Sequence, residues 1–334
     1  MINRLKSPLV RIIGSFGGYY VARYLTRHKP RILMYHRFSG TKKDGYLDTE
    51  LFEKQIKEIV NSFNVVSLSE IENYLTSDNK SKKNMISITI DDGYQDFYTY
   101  AYPVLKKYNL TATLFVTSGF IDQKVWLWPD KITYMIERSD CDEVSLTIGG
   151  VEKTYDMHSE KKYGRLWNEL VQYCLNCSDK EKGIFLDSLN DTFKVSVPEK
   201  IVDDYLPCTW GQLQEMKENN IEIGGHTQTH PSLSKVELPL LESEILGCKQ
   251  RLEEMTGGTV EHFCYPNGQL TDYNENVIAE VKKAGYKSAT TAFSDNDPYK
   301  NCFELRRHAV GDNMFQFKKV IYGVELLGRQ LNIS

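Results

Sequence analysis

Ile86-Ser87-Ile88-Thr89-Ile90-Asp91-Asp92-Gly93 is the stretch on which the fold turns: an apolar, β-branched run ends directly in two carboxylates and a glycine. The run reads as a strand. Gly93 permits a sharp turn behind it, so the adjacent carboxylates leave one strand end in different directions. One can then bind a metal while the other stays free as a base. Asp-Asp-Gly taken alone is equally an ordinary solvated turn, and its surroundings have to decide.

Outward from this stretch, apolar runs alternate with amphipathic helical spacing, the pattern of parallel α/β architecture. Upstream, Ile32 to Tyr35 ends at His36, and Phe52, Ile56, Ile59, Val60 and Phe63 follow at helical spacing. Val65-Val66 is a short strand, and Ser67 with Glu70 forms a capping-box signature for the next helix. Downstream, a helix around Tyr100 to Tyr108 leads to a strand at Leu114 to Val116. From 122 to 206 the alternation breaks down, with helical periodicity at Leu166 to Leu175 and Ile184 to Leu189 and a Gly149-Gly150 turn signal. This predicts an inserted, largely helical subdomain walling one side of the site. The pattern resumes at the Thr209/Gln212 capping box and continues through a strand, Ile221 to Ile223, that stops at Gly224-Gly225-His226. A helix carrying Leu241, Ile245, Cys248, Leu252 and Met255 stops at Gly257-Gly258. Strands at His262 to Tyr265, Lys287 to Thr291 and Leu305 to Val310 complete the series. In barrels of parallel strands the carboxyl ends form the active face. His36, Asp91, Asp92, His226, Asn267 and Arg307 all fall at or near such ends.

Composition narrows the function classes. A net charge of -4 and a pI near 6.0 give no footprint for nucleic acid. Seven cysteines, an odd number without the dense spacing of a secreted scaffold, point to a reducing compartment. Cys174 and Cys177 have the spacing of half a zinc site and nothing to complete it. Residues 1–30 form a basic amphipathic segment: through position 31 there are seven Lys or Arg and no acid, interleaved with Leu5, Leu9, Ile12, Ile13, Phe16, Tyr19, Tyr20 and Tyr24. Two readings stand side by side, a segment lying on an anionic membrane surface and a helix packed on the body of the protein. Residues 31–334 form the main domain, interrupted by 122–206.

His226 and His230 stand at i and i+4, which on a helical turn places two imidazoles on one side. Two histidines and a carboxylate are a common catalytic zinc set. With the Asp-Asp pair also at a strand end, a metal centre becomes the favoured reading.

At this point the chain resembles a known family, the polysaccharide deacetylases (carbohydrate esterase family 4), which includes chitin, peptidoglycan and nodulation-factor deacetylases. Thr89-Ile90-Asp91-Asp92-Gly93 resembles its Thr-Phe-Asp-Asp-Gly motif, His226-Thr227-Gln228-Thr229-His230 its His-Thr/Ser-x-x-His motif, and Phe263-Cys264-Tyr265-Pro266-Asn267-Gly268 its third motif. The resemblance implies a distorted (β/α)7 barrel with a helical insertion. It implies a divalent metal on Asp92, His226 and His230: Zn2+, with Co2+, Ni2+, Mn2+ or Fe2+ as alternatives. It implies Asp91 as general base, a backbone N–H of Asn267 facing the oxyanion, and Tyr265 and Pro266 at the substrate. Two departures stand out. Cys264 occupies the place of an Arg that orients the base, leaving Arg306 or Arg307 to supply the cation, Arg307 being the choice. The usual C-terminal Leu-x-His is absent; Met34-Tyr35-His36 resembles a branch acting on poly-N-acetylglucosamine exopolysaccharides, which makes His36 the expected acid and His308 the second choice. Of the aromatics Tyr94, Trp126, Trp128 and Trp210, the two at 126 and 128 are expected to stack on sugar.

The expected function is metal-dependent N-deacetylation of an N-acetylated amino sugar in a bacterial surface glycan or its lipid- or nucleotide-linked precursor. The alternatives are hydrolysis of another small amide, such as a sugar formamide or ureide, and a non-catalytic glycan-binding relative. The basic N-terminus and cysteine usage predict a cytoplasmic enzyme at the inner face of the membrane. Oligomeric state is open.

Overall fold

Eight segments form one parallel sheet in the computed structural model, which describes residues 17–78, 80–158, 160–295 and 301–330. They are β1 (Arg31–Tyr35), β2 (Asn64–Val65), β3 (Met85–Ile90), β4 (Ala112–Val116), β5 (Ile221–Gly225), β6 (His262–Cys264), β7 (Ser288–Thr290) and β8 (His308–Ala309). The order is β7-β6-β5-β4-β3-β1-β8, with β2 paired to the start of β3. The path closes on itself ahead of β8, where Leu305 bridges Thr290, donates its N–H to Ala289 and accepts from Thr291. The chain is therefore a distorted (β/α)7 barrel.

Side chains alternate across this wall with a period of two. Leu33, Tyr35, Ile86, Ile88 and Ile90 belong to the layer shared with Phe52, Ile56 and Ile59 of the helix Thr49–Ser62. Ile32, Phe115, Cys264 and Leu305 form a separate cluster inside the ring. Phe115 fills the barrel opposite Gly224 on the paired strand; a Cβ there would lie 2.4 Å from its ring, so only glycine fits. The capping boxes at Ser67/Glu70 and Thr209/Gln212 are both fully formed, and a third closes the start of Asp179–Phe193 with Ser178 and Glu181.

Between β4 and β5 the insertion builds its own apolar cluster, in which Ile132, Met135, Leu170, Leu189 and Phe193 are buried. It contains the helices Trp128–Arg138, Glu160–Asn176 and Asp179–Phe193. It also contains an antiparallel hairpin, Glu143–Ile148 with Val151–Asp156, which the helical reading did not anticipate. Gly149 and Gly150 both take positive φ, the conformation a two-residue hairpin turn needs.

The basic N-terminal segment is described only from residue 17, and residues 1–16 lie outside the described residues. The helix Gly18–Leu25 docks on the body: Ala22 is buried, the Tyr19 ring packs tilted against Tyr322 with centroids 5.1 Å apart, and Arg23 donates to Ser62 O at 2.7 Å. Arg31, counted with the basic face, is instead 2% exposed, its guanidinium bonded to the carbonyls of Thr26 and Lys29. Tyr20, Val21, Tyr24 and Leu25 remain exposed. Among the described residues no helix is long and apolar enough to cross a membrane.

Candidate active site

At the carboxyl ends of β3 and β5, Asp92, His226 and His230 bring one ligand atom each to within 4.8 Å of one another. The Nε2 atoms of His226 and His230 lie 3.4 and 3.5 Å from Asp92 Oδ1. The histidine pair is not on a helical turn. Thr227 and His230 both have positive φ, in a loop that follows β5 directly. Pro231 disfavours helical geometry at the residue before it, and Glu244 holds the loop open. Its carboxylate accepts the N–H groups of Gln228 and Thr229 and the Thr229 hydroxyl at 2.7–2.9 Å. Glu244 projects from a widened turn, Ser243–Gly247, within the helical run from Leu238 to Thr256. Asp92 and Asn267 are also left-handed, with φ of 75° and 58°. Such strain costs about 1–3 kcal/mol per residue and gathers at functional sites.

The donor set fits a divalent cation. His226 is oriented by the contact of its Nδ1 with Cys264 O at 2.8 Å, which leaves Nε2 toward Asp92. Burial opposes a charged His226, but Cys264 and Asp92 outweigh it and raise its pKa well above the ordinary value. For His230, burial and the neighbouring His226 prevail and lower it to about 4. Burial would raise Asp92, yet the two imidazoles hold it below the carboxylate range. A carboxylate and two imidazoles converging on one point are a donor set that suits a divalent cation. Asp91, His226 and Cys264 also cluster. Both Asp91 oxygens and the Cys264 sulfur, however, already receive hydrogen bonds from Arg307.

Arg307 stands beside this cluster with a fully buried side chain. It is forked on Asp91 at 2.6 and 2.7 Å, and it also donates to Thr291 O and Thr89 Oγ1. Its neighbour Arg306 pairs with Asp295 instead. Burial pushes the Asp91 carboxyl up, and the charge and hydrogen bonds of Arg307 more than reverse this, leaving it below its usual range. His36 extends from β1 to place Nε2 3.4 Å from Asp91 Oδ2, with its side chain 45% exposed. These groups floor a cleft of about 1140 Å³ that also takes in Asn267 and Tyr265.

Several sequence candidates lie elsewhere. Trp126 packs on Tyr134 and Tyr205 and donates to Pro198 O, and Trp128 sits in the insertion core; neither is among the residues lining the cleft. Large indoles between an insertion and its barrel serve to cement the junction. Trp210 is spent on Asp122 and Arg251. Pro266 is buried beside the cleft rather than lining it, and His308 alternates away from Arg307 on the last strand. Sequence reasoning missed Arg37, which lies 3.6 Å over the Tyr94 ring, 2.7 Å from Asp96 and 3.7 Å from Asp130. Tyr94 also donates to Asp130 at 2.8 Å. The only available signal was an arginine directly after the strand-end His36.

The fold and this constellation define a class, and the comparisons agree: the chain belongs to the polysaccharide deacetylase family, whose model matches residues 78–145 and 188–289, half of the chain. The centre of the insertion is left unmatched. YxkH of Bacillus subtilis, named after the same family, is 36% identical over 107 residues, 32% of this chain and 38% of that protein. The match thus spans little more than a third of that relative. Among solved structures, the Streptococcus pyogenes deacetylase PplD in complex with acetate superposes with a TM-score of 0.57 at 18% identity, covering 88% of this chain and 96% of that one. IcaB from Ammonifex degensii gives 0.57 at 17%, covering 88% and 97%. A de-N-acetylase from Aggregatibacter actinomycetemcomitans gives 0.54 at 14%, covering 86% and 99%. At these identities the likeness concerns the fold.

Proposed function

We propose that the protein is a metal-dependent hydrolase that removes the acetyl group from an N-acetylated amino sugar of a bacterial surface glycan or its precursor. One observation carries the reading: Asp91 and Asp92, adjacent in sequence, are held in different partnerships. Asp92 belongs to two imidazoles and Asp91 to a guanidinium and His36.

A divalent cation, zinc in the first instance, held by Asp92, His226 and His230 would supply Lewis acidity toward the amide carbonyl and the attacking water. Asp91, kept anionic by Arg307, takes the water's proton as the oxygen adds to the acetyl carbon. The backbone N–H of Asn267 faces the oxyanion that results. The C–N bond then breaks, and His36, within reach of Asp91, delivers a proton to the departing amine. Acetate and a free amino sugar leave. Arg307 positions the base and touches no substrate.

The test is acetate release by the metal-reconstituted protein from N-acetylated saccharides. Asp91→Asn is expected to keep the metal and lose turnover by about 10²–10⁴-fold. His230→Ala is expected to lose both. Turnover surviving in Asp91→Asn removes Asp91 from the role of base.

The same proposal extends to location, with the protein resting on the inner face of an anionic membrane. Its support is the exposed row Tyr20, Val21, Tyr24 and Leu25 beside a segment rich in Lys and Arg. Co-sedimentation with anionic but not neutral vesicles is the expected result, and its absence would withdraw this part.

A further inference from the structure

The cleft is larger than its chemistry needs. The reacting groups occupy its floor, yet it runs on along the insertion past Thr133, Glu137, Met157, Gly164, Trp167 and Asn168. At about 1140 Å³ it exceeds the upper end of ordinary small-molecule sites. Trp167 is half-buried, its indole anchored on the core of the insertion and fixed by a 2.9 Å hydrogen bond from Nε1 to Thr133 Oγ1. Exposed Asn168 beside it spends its amide N–H on Gly164 O, which leaves its carbonyl oxygen to accept. A pinned aromatic face beside an amide oxygen, in a cleft also lined by Glu137, suits a sugar ring, apolar on its C–H face and hydroxylated at its rim.

The charges of the cleft say what kind of sugar. Its Lys and Arg residues are all engaged with carboxylates: Arg37 with Asp96 at 2.7 Å, Lys43 with Asp204 at 2.5 Å and Arg307 with Asp91 at 2.6 Å. Asp44, Asp91, Asp92, Asp130 and Glu137 line the same space. Among the described lining residues no Lys or Arg is left uncommitted to hold a diphosphate.

We infer that the insertion carries a second saccharide subsite, with Trp167 as its stacking platform, that takes an uncharged sugar adjoining the one deacetylated. Trp167 lies in the part of the insertion outside the family match, so the subsite belongs to this chain's own elaboration. The inference rests on the deacetylase reading and adds to it the recognition of a neutral glycan stretch over a nucleotide-linked monosaccharide.

The experiment compares kcat/KM of the full-length, metal-loaded protein for N-acetylglucosamine, its tetrasaccharide and UDP-N-acetylglucosamine. The tetrasaccharide is expected to exceed both others by about tenfold or more. Trp167→Ala should bring it down to the monosaccharide's level with the monosaccharide rate unchanged, and Trp167→Phe should restore most of the gain. Gly164→Phe is a second variant that does not touch the core. Gly164 has open space around its Cβ and sits within a helix, so the ring projects into the subsite and should block only the longer substrate. Equal rates for monosaccharide and tetrasaccharide in the wild type, or equal losses on both in the variants, would overturn the subsite. If no saccharide is deacetylated, the reaction reading fails separately. Tetrasaccharide binding followed by calorimetry still decides the subsite: binding weakened in both Trp167→Ala and Gly164→Phe supports it, and binding unchanged in both rejects it.

Discussion

Replacing Arg307 with methionine removes the guanidinium while keeping much of the side chain's volume, and it leaves Asp91 charged, 3% exposed and without its forked partner. Two charge-assisted hydrogen bonds at 2.6 and 2.7 Å are lost together. At an effective dielectric near 20, unit charges about 4 Å apart attract by about 4 kcal/mol. Breaking one half of a buried pair costs about 3–5 kcal/mol, largely because the surviving charge stays desolvated. An unfolding entropy of about 2.1 cal/mol/K per residue, summed over this chain, turns that into a fall in melting temperature of about 4–7 °C. The diagnostic is the cycle with Asp91→Asn. In Asp91→Asn/Arg307→Met neither charge remains, so the double variant should melt well above the sum of the two single losses. Differential scanning calorimetry of the four proteins provides the numbers. Strict additivity would refute the argument, because the pair would then not be what places Asp91.

Three further outcomes follow from the geometry. His36→Gln should lower amide turnover by about 10²–10⁴-fold but spare hydrolysis of an aryl acetate, whose leaving group needs no proton; equal losses on both would take His36 out of the acid role. Glu244→Gln loosens the loop between His226 and His230, and chelator competition should show metal affinity weakened by about 10–100-fold; unchanged affinity means the loop holds itself. Burial pushes the Asp130 carboxyl up to about 7, against the pull of Arg37 and the Tyr94 hydrogen bond. The folded state thus keeps a proton that the unfolded chain, with a pKa near 3.8, has lost. That stabilising contribution is complete below the unfolded value and disappears as pH rises through the folded one. Asp130→Asn should therefore gain on the wild type in melting temperature as pH rises from about 4 to about 7 and hold level above that, and a difference independent of pH would refute the shift.

What was legible in the sequence was local. Asp91 and Asp92 announce themselves because a strand, two acids and a glycine are contiguous, and the capping boxes at Ser67 and Thr209 are four-residue patterns whose physics is complete within the pattern. The succession of strands and intervening helices follows from alternation for the same reason, whereas the order of strands around the barrel is set by non-local pairing. His226 and His230 were recognisable as a pair, but their geometry was not, because it depends on Glu244 reaching in from a later helix. Arg307 could only be offered beside Arg306, since which arginine turns inward is decided by the register of the last strand. The cluster of Arg37 with Asp96 and Asp130 was invisible, because three charges on separate segments look solvated until the fold removes the water. Trp126 and Trp128 misled for the opposite reason: an indole near a predicted cleft looks like a platform, and only packing shows which indole faces the opening. Trp167, half-buried in an unremarkable helical stretch, is the one that does.

The seam of the barrel gives the site a dependence on synthesis. Asp91 and Arg307 are separated by 216 positions, and Arg307 arrives on the segment that closes the ring. A nascent chain can form β1 through β6, with Asp92, His226 and His230 all present, while Asp91 still lacks its cation. The Asp91–Arg307 pair thus forms only after residues through Arg307 have been made, later than the cluster of Asp92, His226 and His230. A chain interrupted anywhere between the third motif and Leu305 would retain every recognisable signature of the site and still lack the arginine that pairs with Asp91.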